Sequence, residues 1–143
     1  MEKIKLSFEP TEIWNNGDFR QLITDMANGK FNDCDKEYEL WIITTNDSLP
    51  YINALASQLN IPTERVQMCL NDSTKVGIIV LNTDIHMDGE QTIITAINAT
   101  TAVGILVDRK IDYPGMGLKY IKNLDTWTEA ILRERNGEKT KPC

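Results

Sequence analysis

Histidine is nearly absent from this chain: His86 is the only one. The three cysteines, Cys34, Cys69 and Cys143, are widely spaced, and neither a C-x-x-C pair nor a Cys/His cluster occurs. A structural zinc site needs several such ligands at short spacing and is excluded. The odd thiol count reads as reduced cysteines in a cytoplasmic protein, with Cys69 a small buried hydrophobe in an apolar run. Basic residues are also short, 15 Lys and Arg against 21 Asp and Glu, a net charge of −6. A surface that grips nucleic acid through phosphates needs the opposite balance, so no nucleic-acid partner is expected. No apolar run approaches the about 18 residues of a membrane span. The opening segment MEKIKLSFEP lacks the apolar centre of a signal peptide, so a soluble protein is expected. Only 8 Gly and 5 Pro occur, beside 41% hydrophobic and 25% charged residues, which excludes collagen-like and wholly disordered chains.

What remains is a chain of 143 residues, enough for one self-supporting core. No repeat or linker divides it. A single domain is expected over 1–135 and a polar tail over 136–143. Short β-rich runs alternate with amphipathic stretches. The pattern predicts strands over 3–8, 38–45, 66–70, 76–81 and 102–107, the second of them (YELWIITT) an almost continuous apolar run typical of a parallel sheet. Helices are expected over 17–28, with Gly29 as stop, over 90–99, and after Ser48, with Pro50 in the first turn. Residues 118–121 read as a short edge strand and 126–134 as a last helix. Strands alternating with helices imply an α/β fold, a doubly wound and mainly parallel sheet with helices on both faces. Ligands of such sheets sit beyond the carboxyl ends of the strands.

Chemistry-bearing residues fall at those ends. S-F-E-P-T supplies Ser7, Glu9 and Thr11; I-I-T-T-N supplies Thr45 and Asn46; Lys75 precedes the run VGIIVL; and T-D-I-H-M-D supplies Asp84 and Asp88. In order and spacing this series resembles the haloacid dehalogenase (HAD) superfamily, most of whose members are Mg²⁺-dependent phosphohydrolases. The resemblance covers about residues 3–133 and implies a HAD-like, Rossmann-like fold with no cap domain. It sets Ser7 and Glu9 in place of the family's two catalytic aspartates, Thr45, Asn46 and Lys75 at the phosphate, and Asp84 and Asp88 at the metal.

The departures carry as much information as the matches. Ser7 stands where the family has an aspartate nucleophile, and a hydroxyl without an adjacent base is a poor nucleophile and a weak Mg²⁺ ligand. Glu9 can transfer protons, but its extra methylene displaces the carboxyl, and Pro10 removes a backbone donor from the phosphate loop. The expectation is a degenerate hydrolase centre: a non-catalytic module that binds a small phosphorylated ligand or a protein partner, with weak Mg²⁺ binding at Asp84 and Asp88. The alternative is a Mg²⁺-dependent phosphohydrolase of a nucleotide or small phosphoester, with Glu9 as acid/base. Simpler readings stand beside these. Asp84 also fits a turn, Asp88 a helix cap, Thr45 and Asn46 the cap of the following helix, and His86 a surface loop. The loop 108–117 could cover the site.

Overall fold

A computed structural model describes residues 2–32, 34 and 36–108. The predicted strand 118–121, helix 126–134, tail 136–143 and all of the loop 108–117 except Asp108 lie outside the described residues. The chain runs β1 (Glu2–Phe8), α1 (Thr11–Asn15), α2 (Gly17–Ala27), β2 (Lys36–Thr44), α3 (Leu49–Gln58), a 3₁₀ turn (Thr63–Arg65), β3 (Val66–Met68), α4 (Asp72–Asn82), β4 (Ile85–Asp88), α5 (Gln91–Asn98) and β5 (Val103–Leu106). The five strands form one sheet in the order β3-β2-β1-β4-β5, and every pairing is parallel. This is an α/β fold consistent with a Rossmann-like arrangement, as the alternation of strand and helix patterns predicts. The order reverses at β1, whose neighbours are β2 and β4, so the topological switch point lies at the carboxyl end of β1.

Local sequence accounts for most elements. Asn16 caps α2 by accepting from the Asp18 and Phe19 amides, and the helix closes at Gly29, which takes φ +80°. Apolar residues of β1 and β2 pack with Phe19, Leu22 and Ile23 of α2 and Ile52 and Leu55 of α3. A second cluster joins Ile43 of β2 to Ile79 of α4 and to Ile93 and Ile97 of α5. Ile42 and Ile43 are consecutive in β2 yet belong to different clusters, because alternate side chains of a strand project to opposite sides.

Three expectations are corrected. The segment 76–81 is not a strand but the body of α4. Its β-branched run is overridden by a good start, where Asn71 accepts the Thr74 amide at 2.9 Å, and by tertiary packing of Ile79. The strand instead is β4, which begins after Asp84, so His86 is a fully buried strand residue rather than part of a surface loop. Cys34 is disulfide-bonded, against the reduced state expected from the cysteine count; sequence spacing does not reveal proximity in space. Cys69 is a free, buried thiol. Among the described residues no helix is long and apolar enough to cross a membrane.

Two glycines make opposite demands. A Cβ on Gly104 of β5 would lie 3.0 Å from the Ile94 carbonyl oxygen and 3.3 Å from its Cα, both backbone atoms of α5. A Cβ on Gly77 of α4 meets nothing within 4 Å. Gly104→Ala is therefore expected to destabilise the fold by about 1–3 kcal/mol, and Gly77→Ala to stabilise it by about 0.5–1 kcal/mol. Urea denaturation of the two variants checks both signs.

Candidate functional site

Three strands and one helix deliver the polar residues of the carboxyl edge. β1 ends in Phe8, so Glu9 is the first residue beyond it, held in line by its amide donating to the Met87 carbonyl at 3.0 Å. β2 ends in Thr44, β4 in Asp88, and the first turn of α4 carries Lys75. These four side chains meet. Lys75 Nζ donates to Glu9 Oε1 at 2.9 Å and to Asp88 Oδ2 at 2.7 Å, and Thr44 Oγ1 donates to Glu9 Oε1 at 2.6 Å. Glu9 Oε2 accepts from both the amide and the hydroxyl of Thr11, at 3.0 and 2.9 Å. Asp88 Oδ1 accepts the Glu90 amide just ahead of α5.

The network continues under the sheet edge. His86 Nε2 lies 2.9 Å from Asp88 Oδ2, and His86 Nδ1 lies 2.7 Å from Ser7 Oγ. An ionised Asp88 can only accept, so the Nε2 atom bears the proton and Nδ1 accepts from the Ser7 hydroxyl. Ser7, His86 and Asp88 thus stand in a hydrogen-bonded row that resembles a hydrolytic triad. All three are 0% exposed, so no substrate carbonyl or phosphorus reaches Ser7. The row is a buried chain of hydrogen bonds.

Electrostatics follow from burial and pairing. Burial pushes Lys75 towards the neutral form, but the charges of Asp88 and Glu9 outweigh it and hold the ammonium above its ordinary range. Burial likewise opposes Asp88 ionisation, and the His86 hydrogen bond with the Lys75 charge overcomes it, so its carboxyl lies below the ordinary range. For His86 burial wins over the Asp88 contact, and the imidazole is held neutral. Glu12 of α1 is pushed up by partial burial and by the charges of Asp88 and Glu9. Its carboxylate has no hydrogen bond or ion pair among the described residues, and it comes so near the β4–α5 turn that any Cβ at Gly89 would collide with it.

These groups open onto a cleft of about 420 Å³. Glu9, Lys75 and Asp88 form its floor, and Glu12, Thr45, Asn46, Asp47, Asp72 and Glu90 its rim. Lys75 is the sole cationic side chain among its lining residues. A bare phosphate would meet six carboxylates with one ammonium already committed to two of them.

The expected site residues fare unequally. Glu9, Lys75 and Asp88 come together. Ser7 lies below them, with no access to the cleft. Asp84 is corrected most clearly. It precedes β4, at the opposite end of the strand from Asp88, a separation of roughly 13 Å at the usual rise per residue. Its Oδ2 accepts the Lys5 amide at 2.9 Å. Asp84 and Asp88 therefore cannot share one ion. Thr45 and Asn46 line the rim, and Asn46 Oδ1 accepts the Ser48 amide in the turn before α3; the N-cap of that helix is Ser48, with no side-chain cap, so neither residue caps it. Sequence reasoning places Thr44 at the strand end but gives the binding role to its neighbour Thr45, whereas Thr44 is the residue on Glu9; it misses Glu12 and misjudges His86. Among the described residues no group of three or more His, Cys, Asp or Glu is placed to hold a metal ion. Comparison with family models, curated proteins and solved structures finds no significant match to the chain.

Lys75→Met leaves two buried carboxylates facing each other and is expected to cost about 3–5 kcal/mol in chemical denaturation. In the triple variant with Glu9→Gln and Asp88→Asn most of that loss should return. The pH dependence has a separate sign. A depressed His86 means the fold disfavours the proton, so its contribution is complete above its ordinary value of 6.5 and declines as pH falls below it. Thermal melts across that range should show this decline in the native chain and a flatter profile in His86→Gln.

Proposed function

We propose that the chain is a HAD-like, doubly wound domain with helices on both faces of the sheet and no cap, and that its cleft binds a ligand without turning it over. The observation that carries this reading is the placement of Lys75. Its ammonium lies between Glu9 and Asp88, the two carboxylates that a hydrolase of this arrangement would turn towards a metal and a phosphoryl group. Every oxygen of that pair already accepts a hydrogen bond from the protein. Ser7, the residue in the nucleophile's place by sequence order, is sealed.

A resident Mg²⁺ does not fit this donor set. Mg²⁺ demands near-octahedral oxygen ligands at short distance, and the space between Glu9 and Asp88 is taken by an ammonium. Asp84, the other expected ligand, belongs to the far end of β4. A phosphorylated ligand would therefore enter only with its own divalent cation, its net charge offset before it meets the acidic rim. A protein partner presenting a basic side chain satisfies the same rim.

One observation favours the second reading, a phosphohydrolase. Glu9, Thr44, Lys75 and Asp88 follow the family's chain order of strand end, strand end, helix and strand end, and they converge within hydrogen-bonding distance. In that case Glu9, rather than Ser7, is the strand-end carboxylate. Incubation with a phosphoester panel and Mg²⁺ separates the two. The binding module predicts no turnover above that of Glu9→Gln, together with a melting-temperature increase when Mg²⁺ and a phosphate ester are added jointly and none with either alone. Turnover that Glu9→Gln and Asp88→Asn both abolish establishes the hydrolase instead.

A further inference from the structure

A second concavity lies beside the cleft, between α1–α2 and α3, with a volume of about 530 Å³. Its floor is apolar, built from Ile13, Leu55 and Leu59. One wall is aromatic: Trp14 stacks on Tyr51 with ring centroids 3.6 Å apart and planes 27° from parallel. Tyr51 is fixed in turn by donating its hydroxyl to the Pro10 carbonyl at 2.8 Å. Trp14 is nevertheless 58% exposed, which leaves much of a large apolar ring in water on a helix of only five residues. Arg20 of α2 stands at the lip.

The charge of this pocket is opposite to that of the cleft described above. No Asp or Glu lines it, and Arg20 takes part in no ion pair among the described residues. In a chain with net charge −6 an unneutralised guanidinium beside an exposed indole is a local reversal of the field. A guanidinium presents paired donors that match a carboxylate, and an indole face stacks on a flat ring. The volume lies within the about 300–1,000 Å³ of small-molecule sites.

From this combination we propose that the pocket between α1–α2 and α3 binds a small planar aromatic carboxylate, its ring stacked on Trp14 above the apolar floor and its carboxylate paired with Arg20. The pocket shares no lining residue with the carboxyl-edge cleft.

Calorimetric titration of the full chain with 2-naphthoate and with the uncharged 2-naphthalenemethanol tests the assignment. The carboxylate should bind about tenfold more tightly than the alcohol, the difference expected for one charge-assisted hydrogen-bonded pair. Arg20→Gln should remove that preference while leaving the alcohol unaffected, and Trp14→Ala should weaken both ligands; circular dichroism confirms that each variant is folded. Because Arg20 is exposed, its variant carries the test even if Trp14→Ala does not fold. Equal affinity for the two ligands, a preference that survives Arg20→Gln, or no saturable binding of either would overturn the proposal.

Discussion

The ammonium of Lys75 reaches from the first turn of α4 to the ends of two strands, and the carboxyl edge of the sheet depends on it. Glu9 follows β1 and Asp88 closes β4, and the two strands are neighbours in the sheet, so their terminal carboxylates are forced close together. Without a cation between them, mutual repulsion and burial would drive one of them to take up a proton. Lys75 removes that conflict from inside the chain. A buried ion cluster of this kind contributes little net stability relative to an apolar core of the same shape, but losing one member is costly. Its consequence is geometric. The end of β1 is locked at one point to α4 and β4, which lie more than 60 residues further along the chain.

Much else follows from that point. With Asp88 fixed, His86 two residues earlier on the same side of β4 is oriented by its Nε2, and its other nitrogen satisfies Ser7 inside the sheet. The same anchoring explains why a segment rich in β-branched residues forms α4: the helix places Lys75 and Ile79 on the face turned to the protein, the first to the carboxylates and the second to Ile43 and Ile93. Chemically, the lock consumes the groups that a phosphoryl-transfer site would leave open. What stays available is a carboxylate-rimmed cleft suited to positively charged or cation-accompanied ligands.

The sheet was legible in the sequence wherever burial was apolar. YELWIITT declares a strand buried on both sides, and the spacing of Phe19, Leu22, Ile23 and Met26 declares an amphipathic helix that the structure buries on that face. Legibility failed where polar residues do the work of core residues. In β4, the sequence IHMD places a histidine and an aspartate inside, satisfied by Ser7 of β1 and Lys75 of α4, so no hydrophobic pattern marks the strand. A strand expected over 76–81 makes Asp84 a strand end, whereas Asp84 stands at the beginning of β4. Glu9, Lys75 and Asp88 were named from spacing alone, whereas their mutual contact was not, since an ion cluster depends on the register of β1 against β4 and on the entry angle of α4.

Lys75 either occupies the cation's place between Glu9 and Asp88 or merely visits it. Nuclear magnetic resonance of the Lys75 side-chain nitrogen, followed while Mg²⁺ is added to the full chain, answers this most directly. A resonance of a charged ammonium, protected from exchange and unmoved by millimolar Mg²⁺, is the predicted result. Displacement of that resonance as the metal saturates a site at Glu9 and Asp88 would contradict the account and restore a metal-dependent centre.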